Sequence, residues 1–135
     1  MTKRDAQRVG LAIKRIQARH HRELDARLAG LGLSLVQWDA LRHLNENPDA
    51  SLRELAQLTF QSDQAFGTLA TRMVKRGLIE RIDGPGRAIR HRITPKGAAL
   101  LIEGSAVTDE VLGESFSALD DDEFEAFGAL IQRLV

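Results

Sequence analysis

The sequence contains no cysteine. This absence excludes disulfide bonds, thiolate metal sites and cysteine-based redox sensing within the chain. Aromatic residues are also scarce, at 4% of the chain, with a single tryptophan and no tyrosine. Because the hydrophobic fraction is nevertheless 43%, the core must be built mainly from Leu, Ile, Val and Ala, which favours a helical fold.

Long apolar runs and catalytic motifs are missing as well. No apolar run approaches the roughly 20 residues that span a bilayer, and residues 1–5 lead into an amphipathic segment rather than a secretory signal. There is no Gly-rich phosphate loop, nucleophile elbow or metal-ligand spacing. We therefore expect a soluble cytoplasmic protein that is not an enzyme, with no catalytic residues, cofactor or resident metal.

The formal net charge of zero conceals an uneven distribution. Residues 1–50 carry a net charge of +3, residues 51–97 carry 9 Lys/Arg against 4 Asp/Glu, and residues 98–135 carry 1 against 9. The basic charge is therefore concentrated in the middle of the chain, as expected for a nucleic-acid-binding surface. We interpret the acidic tail as a solvated helix face.

The central segment, residues 51–97, contains the most informative pattern in the chain, two helices followed by a hairpin. It begins with a capping box, Ser51-x-x-Glu54, which predicts a helix start. Thr59-Phe60-Gln61 then interrupts the helical spacing of the apolar residues. Ser62 is predicted to cap a second helix, with Asp63 complementing the positive end of its dipole.

This second helix has one apolar and one polar face. Phe66, Leu69 and Met73 recur at intervals of three and four and predict the buried face. The opposite face carries mostly short polar side chains: Gln64, Gly67, Thr68, Thr71, Arg72 and Lys75. Such a face suits a helix that lies in the DNA major groove and contacts base edges.

Two predicted strands follow the second helix. Gly77 marks the helix end, and residues 78–83 and 88–94 are predicted to form a hairpin around the turn at residues 84–87. The predicted fold class is mainly α with a small β-hairpin wing, a winged helix-turn-helix with flanking dimerisation helices.

The flanking segments read as amphipathic helices. Apolar residues recur at helical spacing over residues 5–28, and a further helix begins at the capping box Ser34-x-x-Gln37. The residues predicted to form its buried face are Val36, Ala40, Leu41 and Leu44. Two more helices are predicted from Pro95 to about Ser117 and, after the acidic run at residues 120–123, to the end of the chain.

Three units follow from this reading: an N-terminal dimerisation helix (1–33), a winged helix-turn-helix domain (34–97) and C-terminal dimerisation helices (98–135). The outer helices have more apolar surface than the small central domain can cover. A homodimer in which they pack on a second copy is therefore expected.

The order of these elements and their residues resembles the MarR family of bacterial transcriptional regulators. The resemblance covers nearly the whole chain and is carried by residues 32–41, 51–56, 72–81 and 92–97. It implies a homodimer that binds a pseudo-palindromic operator, usually as a repressor, and that in many cases releases DNA when a small aromatic or phenolic ligand binds. The pocket commonly lies between the dimerisation helices and the winged-helix domain.

Two departures from the family pattern keep an alternative open. Many relatives carry basic residues where this recognition helix has Asp63 and Thr68, with Gly67 beside it. The wing is also about two residues shorter, and Pro85-Gly86-Arg87 lacks the acid that braces the tip arginine in relatives, unless Asp83 substitutes for it. The alternative is a degenerate winged helix that binds or antagonises another protein, with weak or no DNA binding.

Specific residues are predicted for each role. Gln and Arg can pair bidentately with adenine and guanine, whereas a wing-tip arginine suits the minor groove. The predicted DNA-binding residues are Ser62, Gln64, Thr68, Thr71, Arg72, Lys75, Arg87, Arg90 and Arg92. His20 and Trp38 are predicted to line a small-molecule pocket. A regulatory metal on His20, His21 and His43 is a competing hypothesis that the spacing does not favour.

Overall fold

The computed structural model describes residues 1–82 and 88–135. The described elements run in the order α1 (Lys3–Leu28), a 3-10 turn (Ala29–Leu31), α2 (Leu35–Glu46), α3 (Leu52–Leu58), α4 (Asp63–Lys75), β1 (Ile79–Ile82), β2 (Arg90–Ile93), α5 (Pro95–Phe116) and α6 (Asp121–Gln132). The predicted fold class, mainly α with one β-hairpin, is confirmed. None of the helices in this part of the chain is both long and apolar enough to cross a membrane.

The predicted serine caps start their helices. Each hydroxyl accepts a hydrogen bond from the backbone N–H three residues further on, at Ser34, Ser51 and Ser62. At Ser34 the box is completed by Gln37, whose Oε1 accepts from the Ser34 N–H at 3.1 Å. These bonds satisfy amide groups that a helix start otherwise leaves without partners.

One hydrophobic core joins the helices to the hairpin. Its largest fully buried side chains come from α1, α2, α3, α4 and the segment leading into β1: Leu28, Leu41, Leu55, Met73 and Leu78. Phe66 and Leu69, predicted to be buried on α4, are also in this core. The buried side of α4 is therefore held by packing, and its other side is left to solvent.

The buried face of α2 differs from the prediction at one position. Val36 was predicted to be buried, which is wrong, because its side chain is 41% exposed. Val36 precedes the buried Leu41 by five positions and so points about 140° away from it around the helix. Trp38 is buried instead, against α5, where a Cβ on Gly104 would lie 2.6 Å from its ring.

The hairpin is a two-stranded antiparallel sheet in which Ile79 pairs with Ile93 and Ile82 pairs with Arg90. Both strands are shorter than predicted but lie inside the predicted ranges. An isolated bridge between Ser51 and Arg90 attaches β2 to the start of α3. The hairpin is thus fixed to the helix-turn-helix through the first residue of β2.

Thr94 connects the hairpin to α5. Its N–H donates to the carbonyl of Leu78 at 3.1 Å, and its hydroxyl lies 2.6 Å from the carbonyl of Gly77. The same hydroxyl oxygen accepts the N–H of Gly97 at 3.0 Å and so caps α5. A Cβ on Gly97 would clash with the Leu78 carbonyl, so this close approach requires glycine.

Candidate nucleic-acid interface

The surface of α4 opposite the core carries the side chains predicted to contact DNA. Six of the predicted residues on this helix and its cap are exposed: Ser62, Gln64, Thr68, Thr71, Arg72 and Lys75. Gly67 is half-buried between them and has open space where a Cβ would stand. The structure thus brings the predicted α4 residues onto one accessible helix face.

The hydroxyl groups of the two threonines on this face are held in place by hydrogen bonds to the helix backbone. The Thr68 hydroxyl donates to the carbonyl of Gln64 at 3.1 Å, and the Thr71 hydroxyl donates to that of Gly67 at 2.9 Å. Each hydroxyl oxygen therefore keeps acceptor capacity for an external donor. An acceptor oxygen and a methyl group match the amino groups and thymine methyls of the major groove.

Asp63 is the first residue of α4 and does not cap it, because Ser62 is the N-cap. A carboxylate in the first helical turn is stabilised by the helix dipole. This environment accounts for an acid on an otherwise basic surface without a role in base recognition.

The C-terminal end of α4 is anchored by two cations, Arg76 at its C-cap and Lys96 of α5. Arg76 donates from Nη1 to Gln37 Oε1 at 2.9 Å, and Lys96 donates from Nζ to the carbonyl of Arg76 at 2.9 Å. Gln37 Oε1 is the same atom that accepts the Ser34 N–H. The end of α4 is therefore fixed to the start of α2 and to α5.

The wing adds two exposed cations. Arg90 and Arg92 are exposed on β2, whereas His91 between them is buried. This alternation is what a strand with one solvated face requires, and it places both arginines on the same face, as predicted. Arg87, predicted to reach the minor groove, lies outside the described residues, as does the rest of the turn at residues 83–87.

His91 has an unusual environment for a histidine. Its ring is 4% exposed, and its Nδ1 has no hydrogen-bond partner among the described residues. Burial, together with the positive charge of Arg81 on the paired strand, lowers the pKa of His91 below its ordinary value of 6.5. The charged imidazolium is therefore disfavoured in the folded hairpin.

A cavity of about 360 Å³ lies apart from this interface, between α1, the start of α2 and the last two helices. The exposed atoms of its lining are mostly apolar, although three of the lining residues are Gln or His. The lining residues are Ile13, Ile16, Gln17, His20, His21, Leu24, Leu35, Phe116, Phe127 and Ile131. A concave, apolar site with a few polar groups is typical of small-molecule binding.

Of the two residues predicted for a ligand, His20 lines this cavity and Trp38 does not. The Nε2 atom of His20 lies 2.7 Å from the hydroxyl of Ser115, which also accepts a hydrogen bond from Arg19 at 2.7 Å. Trp38 is in the core, where its Nε1 donates to Ser105 Oγ at 3.4 Å.

The histidines considered for a metal are not brought together. His20 bonds to Ser115, whereas His43 lies 3.5 Å from Asp39 on its own helix. Asp25, one turn beyond His21, accepts the backbone N–H of Leu35. No group of three or more His, Cys, Asp or Glu suited to a metal ion occurs in residues 1–82 and 88–135.

Sequence reasoning missed Phe60, in the turn between α3 and α4. Its side chain is 98% exposed and its φ is 56°. The sequence offered only an indirect signal: α3 ends at Leu58 and Ser62 caps α4, but the glycine that usually marks a left-handed helix cap is absent between them. A bulky aromatic residue is therefore unusual at this position, two residues before the N-cap of α4.

The chain is similar to known transcriptional regulators. The model of the MarR family matches residues 31–88. The HTH-type transcriptional repressor Rv2887 of Mycobacterium tuberculosis is 27% identical over 128 residues, which cover 93% of this chain and 92% of the relative. The crystal structure of Rv2887 in complex with salicylic acid has a TM-score of 0.78 to this chain, with 26% identity, and covers 93% of this chain and 95% of that one.

Two further crystal structures have the same fold. A probable transcriptional regulator from Pseudomonas aeruginosa is 30% identical, with a TM-score of 0.82 and coverage of 94% of this chain and 96% of that one. A mutant of MarR from E. coli complexed with operator DNA is 20% identical, with a TM-score of 0.87 and coverage of 97% and 96%. Together with the family match at residues 31–88, these similarities show that the chain belongs to the MarR family.

Proposed function

We propose that this protein is a transcriptional repressor that binds operator DNA as a homodimer and responds to a small amphipathic effector. The observation that carries the proposal is the accessible polar face of α4, which is held over a buried apolar face and is accompanied by the exposed cations of β2. We assign it no catalytic role, and we place its action on chromosomal DNA in the cytoplasm.

The chemistry of the interface supports DNA binding. On α4, Gln64 and Arg72 can form bidentate pairs with base edges. Lys75 at the helix end and the wing residues Arg90 and Arg92 suit phosphate oxygens. The net charge of the whole chain is zero, so DNA approach depends on the local field of these cations.

The arrangement of α1, α5 and α6 supports a homodimer. Large apolar side chains on α1 and α6 remain more than a third exposed in the single chain: Val9, Leu11, Ile13, Ile16, Phe124, Phe127 and Leu130. Burial of such surface is the main driving force of protein association. A second copy presents the same surface and covers it in a two-fold arrangement.

The cavity supports a small aromatic or other apolar effector that carries one polar group. Its volume of about 360 Å³ is within the range of small-molecule sites. His20 and His21 supply the polar contacts, and the ring of Phe116, 5.4 Å from that of His20, supplies an aromatic wall. The relative Rv2887 has been crystallised with salicylic acid, which makes salicylate a suitable probe.

The decisive experiment measures DNA affinity by fluorescence anisotropy with duplexes from the region upstream of the protein's own gene. Affinity for the bound duplex should fall by on the order of a hundredfold or more between about 50 and 200 mM salt, because several phosphate contacts release counterions. Arg72→Ala should weaken binding by about 1–3 kcal/mol. Arg133→Ala, which removes an exposed arginine from the far end of the chain, should not.

A second arm of the experiment adds salicylate at constant ionic strength. Release of the duplex by wild type, and weaker release from a variant with His20→Ala in the cavity wall, would support the effector site. Absence of salt-sensitive DNA binding at micromolar protein would contradict the repressor function. Recovery of a stoichiometric protein partner in that case would favour an antagonist module instead.

A further inference from the structure

The turn that ends α3 forms a specific hydrogen-bonded cap. The N–H of Phe60 donates to the carbonyl of Gln57 at 3.2 Å, and the N–H of Gln61 donates to that of Ala56 at 2.9 Å. These two bonds define a Schellman motif. Phe60 occupies its left-handed position, with φ 56°, where a side chain approaches the backbone and glycine is strongly favoured.

The same cap occurs at two other helix ends, and both use glycine. Gly32 follows the 3-10 turn with φ 72°, and Gly77 follows α4 with φ 73°. The matching bonds run from Gly32 and Leu33 to the carbonyls of Ala29 and Leu28, and from Gly77 and Leu78 to those of Val74 and Met73. Phe60 is the one non-glycine residue with positive φ in the described part of the chain.

The phenylalanine is not explained by the stability of the turn. Its side chain is 98% exposed, so it contributes almost nothing to the core. The turn is also held independently, because the Thr59 hydroxyl donates to the carbonyl of Leu55 at 2.7 Å and Gln61 Nε2 donates to Thr59 Oγ1 at 3.3 Å. A strained, exposed aromatic ring that folding does not require points to an external contact.

The position of Phe60 identifies that contact. It precedes Ser62, the N-cap of α4, by two residues, so their Cα atoms are at most about 7 Å apart. In a helix-turn-helix the N-terminal end of the recognition helix faces the base edges. In such a complex Phe60 is close enough for its ring to reach the groove, where the apolar groups of DNA are thymine methyls and deoxyribose carbons.

We propose that the ring of Phe60 packs on these apolar groups of operator DNA and that this contact increases affinity. The inference rests on the proposed repressor function and adds an apolar contact to an interface that is otherwise polar and cationic. The turn before α4 then belongs to the DNA-contacting surface together with the helix itself.

The test exploits the opposite effects of one substitution on stability and on binding. Phe60→Gly removes the strained side chain, so its melting temperature should equal or exceed that of wild type. Its DNA affinity should nevertheless fall by roughly tenfold, because an apolar contact is lost. Phe60→Asn, which also tolerates the left-handed region, should behave like Phe60→Gly, whereas Phe60→Tyr should retain most of the affinity.

The duplexes are selected with wild-type protein from a library with a random centre. If wild type selects no duplex, the repressor function itself fails. If wild type binds and Phe60→Gly binds equally well, the function stands and the role of Phe60 is overturned.

Replacing thymine by uracil in the selected duplex locates the contact on the DNA. A loss for wild type but not for Phe60→Gly places the ring on thymine methyls. An equal response of both proteins, with Phe60→Gly still weaker on the original duplex, places it on deoxyribose.

Discussion

His91 is a titratable residue placed where its charged form is unfavourable. It lies in β2 between two solvent-facing arginines, and its ring is buried opposite Arg81. Burial of the ring and the positive charge of Arg81 lower the pKa of His91 from 6.5. We therefore expect His91 to make the free energy of unfolding depend on pH.

Stability should fall as the pH drops below about 6.5. In that range the unfolded chain binds a proton at His91 that the folded chain resists, so the free energy of unfolding decreases with decreasing pH. His91→Gln should flatten this dependence, measured by urea denaturation between about pH 7.5 and pH 5.5. His21→Gln removes an exposed histidine and should leave the dependence unchanged. Identical pH profiles for wild type and His91→Gln would exclude His91 as the source.

Individual residues were predictable from sequence where a local rule decides their conformation. The cap serines depend on bonds to amides three residues away, and Ser34, Ser51 and Ser62 behave as predicted. Val36 was mispredicted because α2 buries the side that meets α5, and that phase depends on tertiary packing. Phe60 was overlooked because no propensity rule predicts a large residue at a left-handed cap.

At the level of elements, α5 packs closely on α2 because it has a glycine at the point of contact. Gly104 faces Trp38, and a Cβ there would lie 2.6 Å from Cδ1 of the indole and 3.3 Å from Leu28 Cδ2. The contact joins α5 to the core residues Trp38 of α2 and Leu28 of α1. The sequence could not predict it, because a glycine within a helix does not reveal which neighbour approaches it.

Gly104→Ala should destabilise the protein by about 1–3 kcal/mol, because the indole must move out of a packed site. Gly113→Ala is a matched control in the same helix, since nothing lies within 4 Å of a Cβ there. That change should instead stabilise the helix by up to about 1 kcal/mol. Thermal unfolding of both variants measures the difference, and equal melting temperatures would show that Trp38 can move freely.

At the level of the whole molecule, the main feature is the apolar surface that the outer helices leave exposed in the single chain. The predicted division into residues 1–33, 34–97 and 98–135 remains a proposal, because α1, α2 and α5 share one core in the single chain. What sets the outer helices apart is their exposed apolar surface. Periodicity in the sequence predicted that surface, but it could not predict the cavity, which is lined by residues of four different helices.

Leu130→Lys should dissociate the proposed dimer. Leu130 is 56% exposed in the single chain, so lysine there costs the fold of one chain little but places a charge in the apolar interface. Glu125→Lys on the same helix points about 140° away and should leave the dimer intact. Sedimentation velocity distinguishes the two species. A dimeric Leu130→Lys protein would show that α6 is not part of the interface.

The shared acceptor at Gln37 has a mechanical consequence for the dimer. Its Oε1 holds both the start of α2, through Ser34, and the end of α4, through Arg76. Leu35, beside Ser34, lines the cavity. A molecule that displaces the first turn of α2 would pull on the C-terminal end of α4 through this shared atom. An effector would then change the distance between the two recognition helices of a dimer. That distance would no longer match the spacing of the operator half-sites. Every base-contacting side chain would nevertheless keep its local geometry.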